Sequence, residues 1–438
     1  MFLENRTEDR TKKYNNKLVV GLELTDSYSQ VSYSAVDNGE PETISLIVGQ
    51  EEYKIPTVMG KRYQSDVWLF GKEAVKASEE GECILVKDIL FHAQQNMPVI
   101  LDDMEYDIGE MLAVYIKKCL FLIPEVTSLD KVETVVITVR ELTENLIHSL
   151  EKAAGVLTTG KTQFCFSTYQ ESFFQYVLHQ EKNLWMQDVA LFDYREDGMK
   201  VMVMKMNRRT TPIVTFIEDD QYPAMRMIDA EYAGEWEMEA HNVDLDFLTI
   251  AKRVCEHRTV SAVYLLGEGF QQDWCKESLR YICRGRRVFQ GNNLYSKGAC
   301  YMALEKTVPS IVMESYVYLA DDKLKSNLGM RVIRDGEECY MTLLDAGCSW
   351  YEAKKDCNLI LEEDNKLPII VTPMDGKNIK VAEIVLDGLP IHGKKTNRIH
   401  VSITMKNVKT VCVTIEDCGF GEFFPSSGQI WKEEFDIA

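Results

Sequence analysis

The sequence predicts a two-lobed α/β domain followed by an antiparallel β-sandwich, and three observations carry that prediction. A strand, an acidic turn and a second strand open the chain at "LVVGLELTDSYSQVSYSAV" and recur at "DVALFDYREDGMKVMVMKM". After each hairpin, amphipathic helices alternate with short, nearly all-apolar runs, which is how a parallel sheet covered on both faces reads. From about residue 328 onward, short alternating strands separated by Asp-Gly turns replace the helices, the pattern of a sandwich. A chain of 438 residues is also too long for one ordinary core.

Taken in order, residues 1–16 form a polar tail and residues 17–184 the first lobe. There "ETISLIVG" and "EEYKIPTVMG" continue the strands, and "DVWLFGKEAVKAS" passes from strand into helix. "DIGEMLAVYIKKCLFLI" has apolar residues at helical spacing. "VETVVITV" reads as a buried parallel strand and "ELTENLIHSLEKAAGV" as an amphipathic helix, and "TQFCFS" with "YQESFFQYVLHQEKN" repeats that unit. The second lobe spans 185–314. Its hairpin is followed by the strand "PIVTFIEDD", the helix "VDLDFLTIAKRVCEHR", the buried strand "SAVYLLGEGF", the helix "DWCKESLRYIC" and a closing helix "NLYSKGACYMALEK" built from small residues. A linker over 315–327 leads to the sandwich, 328–424, and a tail, 425–438, in which no helical lid is expected. Duplication of this kind sets two similar lobes about a cleft, and clefts hold ligands.

Composition removes several classes. Hydrophobic residues at 45% and charged residues at 27% fit a globular chain. No apolar run is long enough for a bilayer and the start lacks a signal-peptide core, so a cytoplasmic location is expected. The net charge of -20, from 69 acidic and 49 basic residues, repels nucleic-acid backbones and anionic lipid, so neither nucleic acid nor membrane is expected as principal partner. Twelve scattered cysteines include no Cys-x-x-Cys pair, and seven histidines supply no zinc spacing. Buried free thiols and no structural metal are therefore expected. His92, His148, His179 and His257 lack a serine or cysteine partner motif, and Gly-x-Ser-x-Gly, Walker and His-Glu-x-x-His sequences are missing.

The order of parts resembles, over nearly the whole chain, the seventy-kilodalton heat-shock chaperones (DnaK-like). "YKIPTVMG" and "DVWLFGKEAVKAS" are similar to that family's Thr-Pro-Ser-Val strand and Gly-(Glu/Asp)-Ala-Ala-Lys helix. "VVITVRELTENLIHSLEKAAGV" resembles its Val-Ile-Thr-Val-Pro strand with the helix that follows. "AVYLLGEGF" and "YSKGACYMALE" stand where it has Val-Leu-Val-Gly-Gly and Ala-Arg-Gly-Ala-Ala. "YVYLADDKLKSNLGMRV" resembles its interdomain linker, and "VAEIVLDGLPIHGKKTNRIHVSITMKNVKTVCVTIED" its substrate-binding sandwich. The resemblance implies an actin-like (ribonuclease-H-like) ATPase fold of two lobes, and ATP or ADP with magnesium in the cleft. It also implies hydrolysis by water attack on the γ-phosphate beside hydrated magnesium and potassium.

The ligand-contacting motifs depart from the family. Its first phosphate hairpin is Gly-Ile-Asp-Leu-Gly-Thr-Thr, in which glycine lets backbone approach phosphate and aspartate orders the metal's water shell. Here Gly21 remains, Glu23 replaces the aspartate, Thr25 fills the glycine position, and Asp26 and Ser27 replace the hydroxyl pair. A carboxylate at Asp26 would repel phosphate oxygens. In the second hairpin, Asp-(Leu/Phe)-Gly-Gly-Gly-Thr has become Asp193-Tyr194-Arg195-Glu196-Asp197-Gly198. The family's Asn-Glu-Pro-Thr falls on Ser167-Thr168-Tyr169-Gln170, so its glutamate is missing unless Glu171 substitutes, and Gly267 and Gly269 remain in the adenosine region. The outer subdomain that clamps adenine looks trimmed. The candidate cofactor-binding residues are thus Gly21, Glu23, Ser27, Asp193, Gly267 and Gly269, with no catalytic residue assigned.

Each has a plainer reading. Glu23 and Asp193 are most simply solvated hairpin charges, Arg195 an exposed turn arginine, and "IEDDQYP" a solvated loop. Gly267 and Gly269 either approach an adenine or end a strand tightly, and "SKGACYM" is close helix packing. The expected function is that of a degenerate DnaK-like protein: a pseudo-ATPase, with little or no hydrolysis, that binds an unfolded peptide or a protein partner or acts as a scaffold. Two alternatives stay open, an active ATP-hydrolysing chaperone with unusual motifs and an actin-like assembly or apparatus-docking protein.

Overall fold

A computed structural model describes residues 17–437 apart from 38, 48, 159–160, 230–232, 363–364, 375 and 391–394. The polar tail expected over 1–16 lies outside the described residues. The chain divides into two compact units, with the boundary between Tyr318 and Leu319.

The first unit is mixed α/β and carries two central sheets. In one, β1 (Leu18–Leu24), β2 (Tyr28–Ala35), β3 (Glu42–Thr43), β4 (Val132–Val139) and β5 (Gln163–Thr168) lie in the order β5-β4-β1-β2-β3. In the other, β6 (Asp188–Arg195), β7 (Gly198–Asn207), β8 (Ile213–Tyr222), β9 (Val260–Leu266), β10 (Arg287–Gln290) and β11 (Tyr316–Tyr318) lie in the order β10-β9-β6-β7-β8-β11. Directions match position by position: each hairpin is antiparallel, and its first strand pairs in parallel with the strand on its other side. Even the irregularity recurs, since the parallel register shifts between Leu18 and Val19 and again between Asp188 and Val189. Counted from that shared shift, Glu23 is the counterpart of Asp193 and Thr25 of Arg195.

The sequence makes these sheets for reasons that can be read off it. "LVVGLEL" is buried along its whole length, as a central strand covered on both faces must be. The helices of the first half are α1 (Gly71–Glu79), α2 (Ile108–Leu120), α3 (Glu144–Leu157) and α4 (Tyr169–Leu178). The last three start at side-chain caps: Asp107 accepts from the Glu110 N–H, Thr143 from Leu146 and Thr168 from Glu171. In the second half, α5 (Ala233–Cys255) packs on its sheet through Phe247, Ile250 and Ala251, which share a core with Phe192, Tyr194, Phe270 and Trp274.

Three elements depart from expectation. Helix α6 (Leu294–Thr307), placed by sequence order in the second lobe, packs on the first sheet, where Ala299, Cys300, Met302 and Ala303 share a core with Val19, Val136 and Cys165. Small residues permit this: a Cβ at Gly21 would overlap the Ser296 carbonyl oxygen, and one at Gly298 the Ser172 carbonyl oxygen. The acidic run "IEDDQYP" is the end of strand β8, up to Tyr222, rather than a loop, with Glu218 paired to Lys205 and Arg258 and Asp219, on the other face, paired to Lys200. Strand β10 is missed by the sequence reading because its four residues are mostly exposed and open with arginine.

Among the described residues, the second unit is an antiparallel sandwich of eight strands. Strands β12 (Ser326–Arg334), β13 (Glu337–Leu344), β15 (Lys366–Pro373) and β16 (Lys380–Val385) form one sheet in the order β13-β12-β15-β16. Strands β14 (Lys354–Leu361), β17 (Asn397–Met405), β18 (Thr410–Asp417) and β19 (Ile430–Asp436) form the other in that order. Alternation explains the core: Ile399, Val401 and Ile403 on β17 meet Leu328, Ile369 and Val371 from the opposite sheet. The expected boundaries shift at both ends. The linker range 315–327 contains β11, which belongs to the second α/β sheet, and the first two residues of β12. The tail range 425–438 contains β19. That strand's Lys432, Glu433 and Glu434 masked it, yet charge is what an edge strand exposes to solvent.

All twelve cysteines are free; Cys83, Cys119, Cys165, Cys255 and Cys300 are buried, while Cys283 is exposed. Among the described residues, no group of three or more His, Cys, Asp or Glu side chains is arranged to hold a metal ion, and no helix is long and apolar enough to cross a membrane.

Candidate functional site

Parallel pairing brings the hairpin ends of both sheets to one place, and a cavity of about 620 Å³ opens there. Its wall takes Thr25, Asp26, Ser27 and Tyr28 from the first turn, and Arg195, Glu196 and Asp197 from the second. Lys54, Gln94, Arg140, Tyr169 and Glu268 complete the polar lining.

Behind this wall lies a buried charge cluster centred on Arg195. Its Nε donates to Asp193 Oδ1 at 2.8 Å, and a terminal nitrogen donates to Glu23 Oε1 at 3.3 Å. Glu23 is fully buried and Asp193 is 4% exposed, so neither is a solvated hairpin charge. Arg195 is likewise no exposed turn arginine: only 13% of its side chain is accessible. The guanidinium lies 5.5 to 5.8 Å from the ring centres of Tyr28, Tyr169 and Tyr295, within cation–π range. Two of those phenols also hold the acids. Tyr169 donates to Glu23 Oε1 at 2.7 Å and Tyr295 donates to Asp193 Oδ2 at 3.1 Å, while the two rings stack at 3.9 Å.

Burial dominates the electrostatics. It pushes the Glu23 carboxyl above its ordinary value, and the nearby Arg195 charge offsets this only in part. Burial would lower the Arg195 guanidinium, but Asp193, the surrounding phenols and Glu23 together raise it well above its usual range, so it is the fixed charge of the cluster. Tyr28, Tyr169 and Tyr295 are all raised, chiefly by desolvation, and stay neutral. Glu23 Oε2 and both amide atoms of its cross-strand neighbour Gln30 have no hydrogen-bond partner among the described residues.

The other two cations on the wall are also engaged. Arg140 pairs with Asp197, which lies below its ordinary value because of that bond, and Lys54 pairs with Glu268. Both contacts, like the bond from Arg195 to Glu23, join the first half of the unit to the second. Asp26, expected to face phosphate, is held by the chain itself: its Oδ1 accepts the Phe91 N–H at 2.9 Å. Phe91 lies in the short helix Ile89–Gln94, whose own N-cap residue Asp88 makes no side-chain cap.

Of the sequence-predicted residues, the structure brings Glu23 and Asp193 together through Arg195 and leaves Ser27 on the cavity rim. Gly21 faces α6 instead of the cavity. Gly267, at φ +94°, and Gly269 are both pressed against Tyr194, a Cβ on the first overlapping its backbone and on the second its ring. They serve close packing. Sequence reasoning missed Tyr28, Tyr169, Tyr295 and Arg140, which lie far apart along the chain. The available signal was the hairpin equivalence, which puts Arg195 opposite Thr25 in the two turns.

Residues 40–321 match the C-terminal part of a family of unknown function, DUF5716. The match covers more than half of the chain. The chain belongs to this family. The first hairpin lies ahead of the matched span, whereas Asp193, Arg195, Tyr169 and Tyr295 fall inside it. Residues 323–437 match a second domain of unknown function, DUF8552, which covers the sandwich. No curated protein matches the chain.

Proposed function

We propose that this DUF5716-family chain is a DnaK-like protein of actin-like (ribonuclease-H-like) fold whose nucleotide cleft is degenerate. It works in the cytoplasm as a non-hydrolysing module or scaffold that holds a peptide or protein partner. The shared sheet order and strand directions of the two halves support the fold assignment. Arg195 carries the functional one. In the family it resembles, the two hairpin carboxylates face a hydrated magnesium and the nucleotide phosphates. In this chain a guanidinium bonded to both carboxylates supplies the compensating positive charge from within.

The residues present do not fit ATP with magnesium. The wall cations Lys54, Arg140 and Arg195 are each bonded to a carboxylate, and Asp26 and Glu196 add negative charge to the same wall. Phosphoryl transfer depends on positioned cations and close backbone amides, and here the glycines that remain are filled by Tyr194 and α6. A thermal-shift titration tests the reading. Addition of ATP or ADP with magnesium up to millimolar concentration is expected to leave Tm unchanged. A ligand present at a hundred times its Kd would add about 2.7 kcal/mol and raise Tm visibly. Such a rise at sub-millimolar nucleotide favours the active-ATPase alternative and overturns the degenerate-cleft reading.

A further inference from the structure

The opposite end of the second sheet carries a different chemistry. Strands β6, β9 and β10 run in parallel and begin there, and β7, antiparallel to β6, ends there. The segments at this end carry Arg208 and Arg209, after β7, and Arg284, Arg286 and Arg287, before and at the start of β10, with β9 and β6 between the two groups. Two shallow grooves, of about 560 and 280 Å³, share Met186 and Gln187 as lining. The first reaches Arg286 and Arg287, and the second reaches Arg208 and Arg209.

These arginines differ from the cations of the cleft. The cleft cations are each bonded to a carboxylate, and so is Arg258 beside this patch. Arg209, Arg284 and Arg287 are exposed and make no ion pair with any described carboxylate. Arg208 donates to the carbonyl oxygens of Trp185 and Met186, and Arg286 to those of Tyr281 and Ile282. Those bonds fix two guanidinium planes without neutralising them. Among the described residues lining the two grooves, Asp188 alone carries a carboxylate; it is partly buried and faces Lys205 and Arg258. Met186, 56% exposed, adds an apolar contact between the two arginine pairs.

We infer that this end of the second sheet is a docking surface for a short acidic segment of a partner protein, one that places carboxylates on the arginine pairs and an apolar side chain on Met186. Charge complementarity selects the occupant. Guanidinium forks match carboxylates in two-point bonds, and the patch is a local positive island on a chain of net charge -20. A nucleic-acid strand or an anionic bilayer would extend past the island onto acidic surface and be repelled there. A short segment ends within it. The inference concerns a site separate from the cleft and stands whether or not nucleotide binds.

Fluorescence anisotropy on the full chain tests it, with a fluorescein-labelled oligo-glutamate peptide carrying one central leucine as probe. Saturable binding that weakens as sodium chloride is raised is expected. Arg209→Glu with Arg287→Glu is expected to weaken it by roughly tenfold or more; neither side chain makes an internal bond, so an unchanged Tm shows that folding is intact. Arg331→Glu, exposed on the sandwich, is expected to leave binding unchanged. No saturable binding at low salt overturns the proposal, as does equal binding by the double charge reversal. Tighter binding of oligothymidylate or of phosphatidylserine vesicles than of the peptide also overturns it, by assigning the patch to nucleic acid or lipid.

Discussion

Glu23 and Arg195 place opposite demands on one buried space. Arg195 needs a counter-charge, and Asp193 supplies the shorter bond. Glu23, fully buried and with one oxygen unpartnered, is the costlier anion, and burial raises it above its ordinary value of 4.5. The unfolded chain ionises this carboxyl near that ordinary value, whereas the folded chain resists until higher pH. Its contribution to stability is therefore fully present below about 4.5 and is lost as pH rises through the raised folded value. Glu23→Gln keeps an acceptor for the Tyr169 hydroxyl and removes the titration. Urea denaturation is expected to show the variant gaining stability relative to the parent as pH rises from 4 to 7. A difference that stays flat or shrinks across that range overturns the assignment of Glu23 as the strained acid. Arg195→Ala does the reverse, stranding both acids, and is expected to cost about 3–5 kcal/mol. A loss under about 1 kcal/mol would mean that water already screens the cluster.

At the scale of elements, the first turn is anchored from outside by its own acid. Asp26 caps the Phe91 N–H of the helix Ile89–Gln94 in place of that helix's own N-cap residue. Asp26→Ala is expected to cost about 0.5–2 kcal/mol, with Asp26→Asn retaining most of the stability because it keeps an acceptor. Hydrogen exchange at the Phe91 amide reports the loss directly, and an unchanged rate there counts against the cap. Gly21→Ala acts on another pair of elements, since its methyl would meet the α6 backbone at Ser296 and Cys300, which cannot yield as a side chain can. About 1–3 kcal/mol or more is expected in the same denaturation assay. These two contacts also mark the limit of what the sequence discloses. Periodicity exposes each strand and helix of the two α/β halves whose apolar face is continuous, such as β4 and α3. It does not disclose that α6 crosses to the first sheet, because a helix of small residues looks alike whichever sheet it covers. It also hides β10 and β19, whose exposed charges dilute the alternation. In the site, Glu23 and Asp193 were legible from the hairpin pattern. Their burial was not, because the arginine and tyrosines that make burial tolerable come from distant segments.

For the whole molecule, two independent lines divide the chain at one place. Contacts separate the units between Tyr318 and Leu319, and the two family matches change over between residues 321 and 323. Packing explains why the second unit can recur as a module. Its core, from Leu324 through Ile437, is supplied wholly by its own strands and connections, including Leu328, Ile369, Val401 and Ile415. The edge strand β19 closes that core, pairing along its length with β18. A unit of this size buries enough apolar surface to fold without its neighbour. Residues 319–438 expressed alone are therefore expected to give a β-type far-ultraviolet spectrum and one cooperative urea transition. Removing residues 425–438 from that fragment deletes β19 and exposes Val411, Val413 and Ile415 at the new edge, so the shortened fragment is expected to lose the transition or to aggregate. If 319–438 is unfolded in isolation, or if the shortened form melts with the same midpoint, the sandwich is not a self-contained module closed by its last strand.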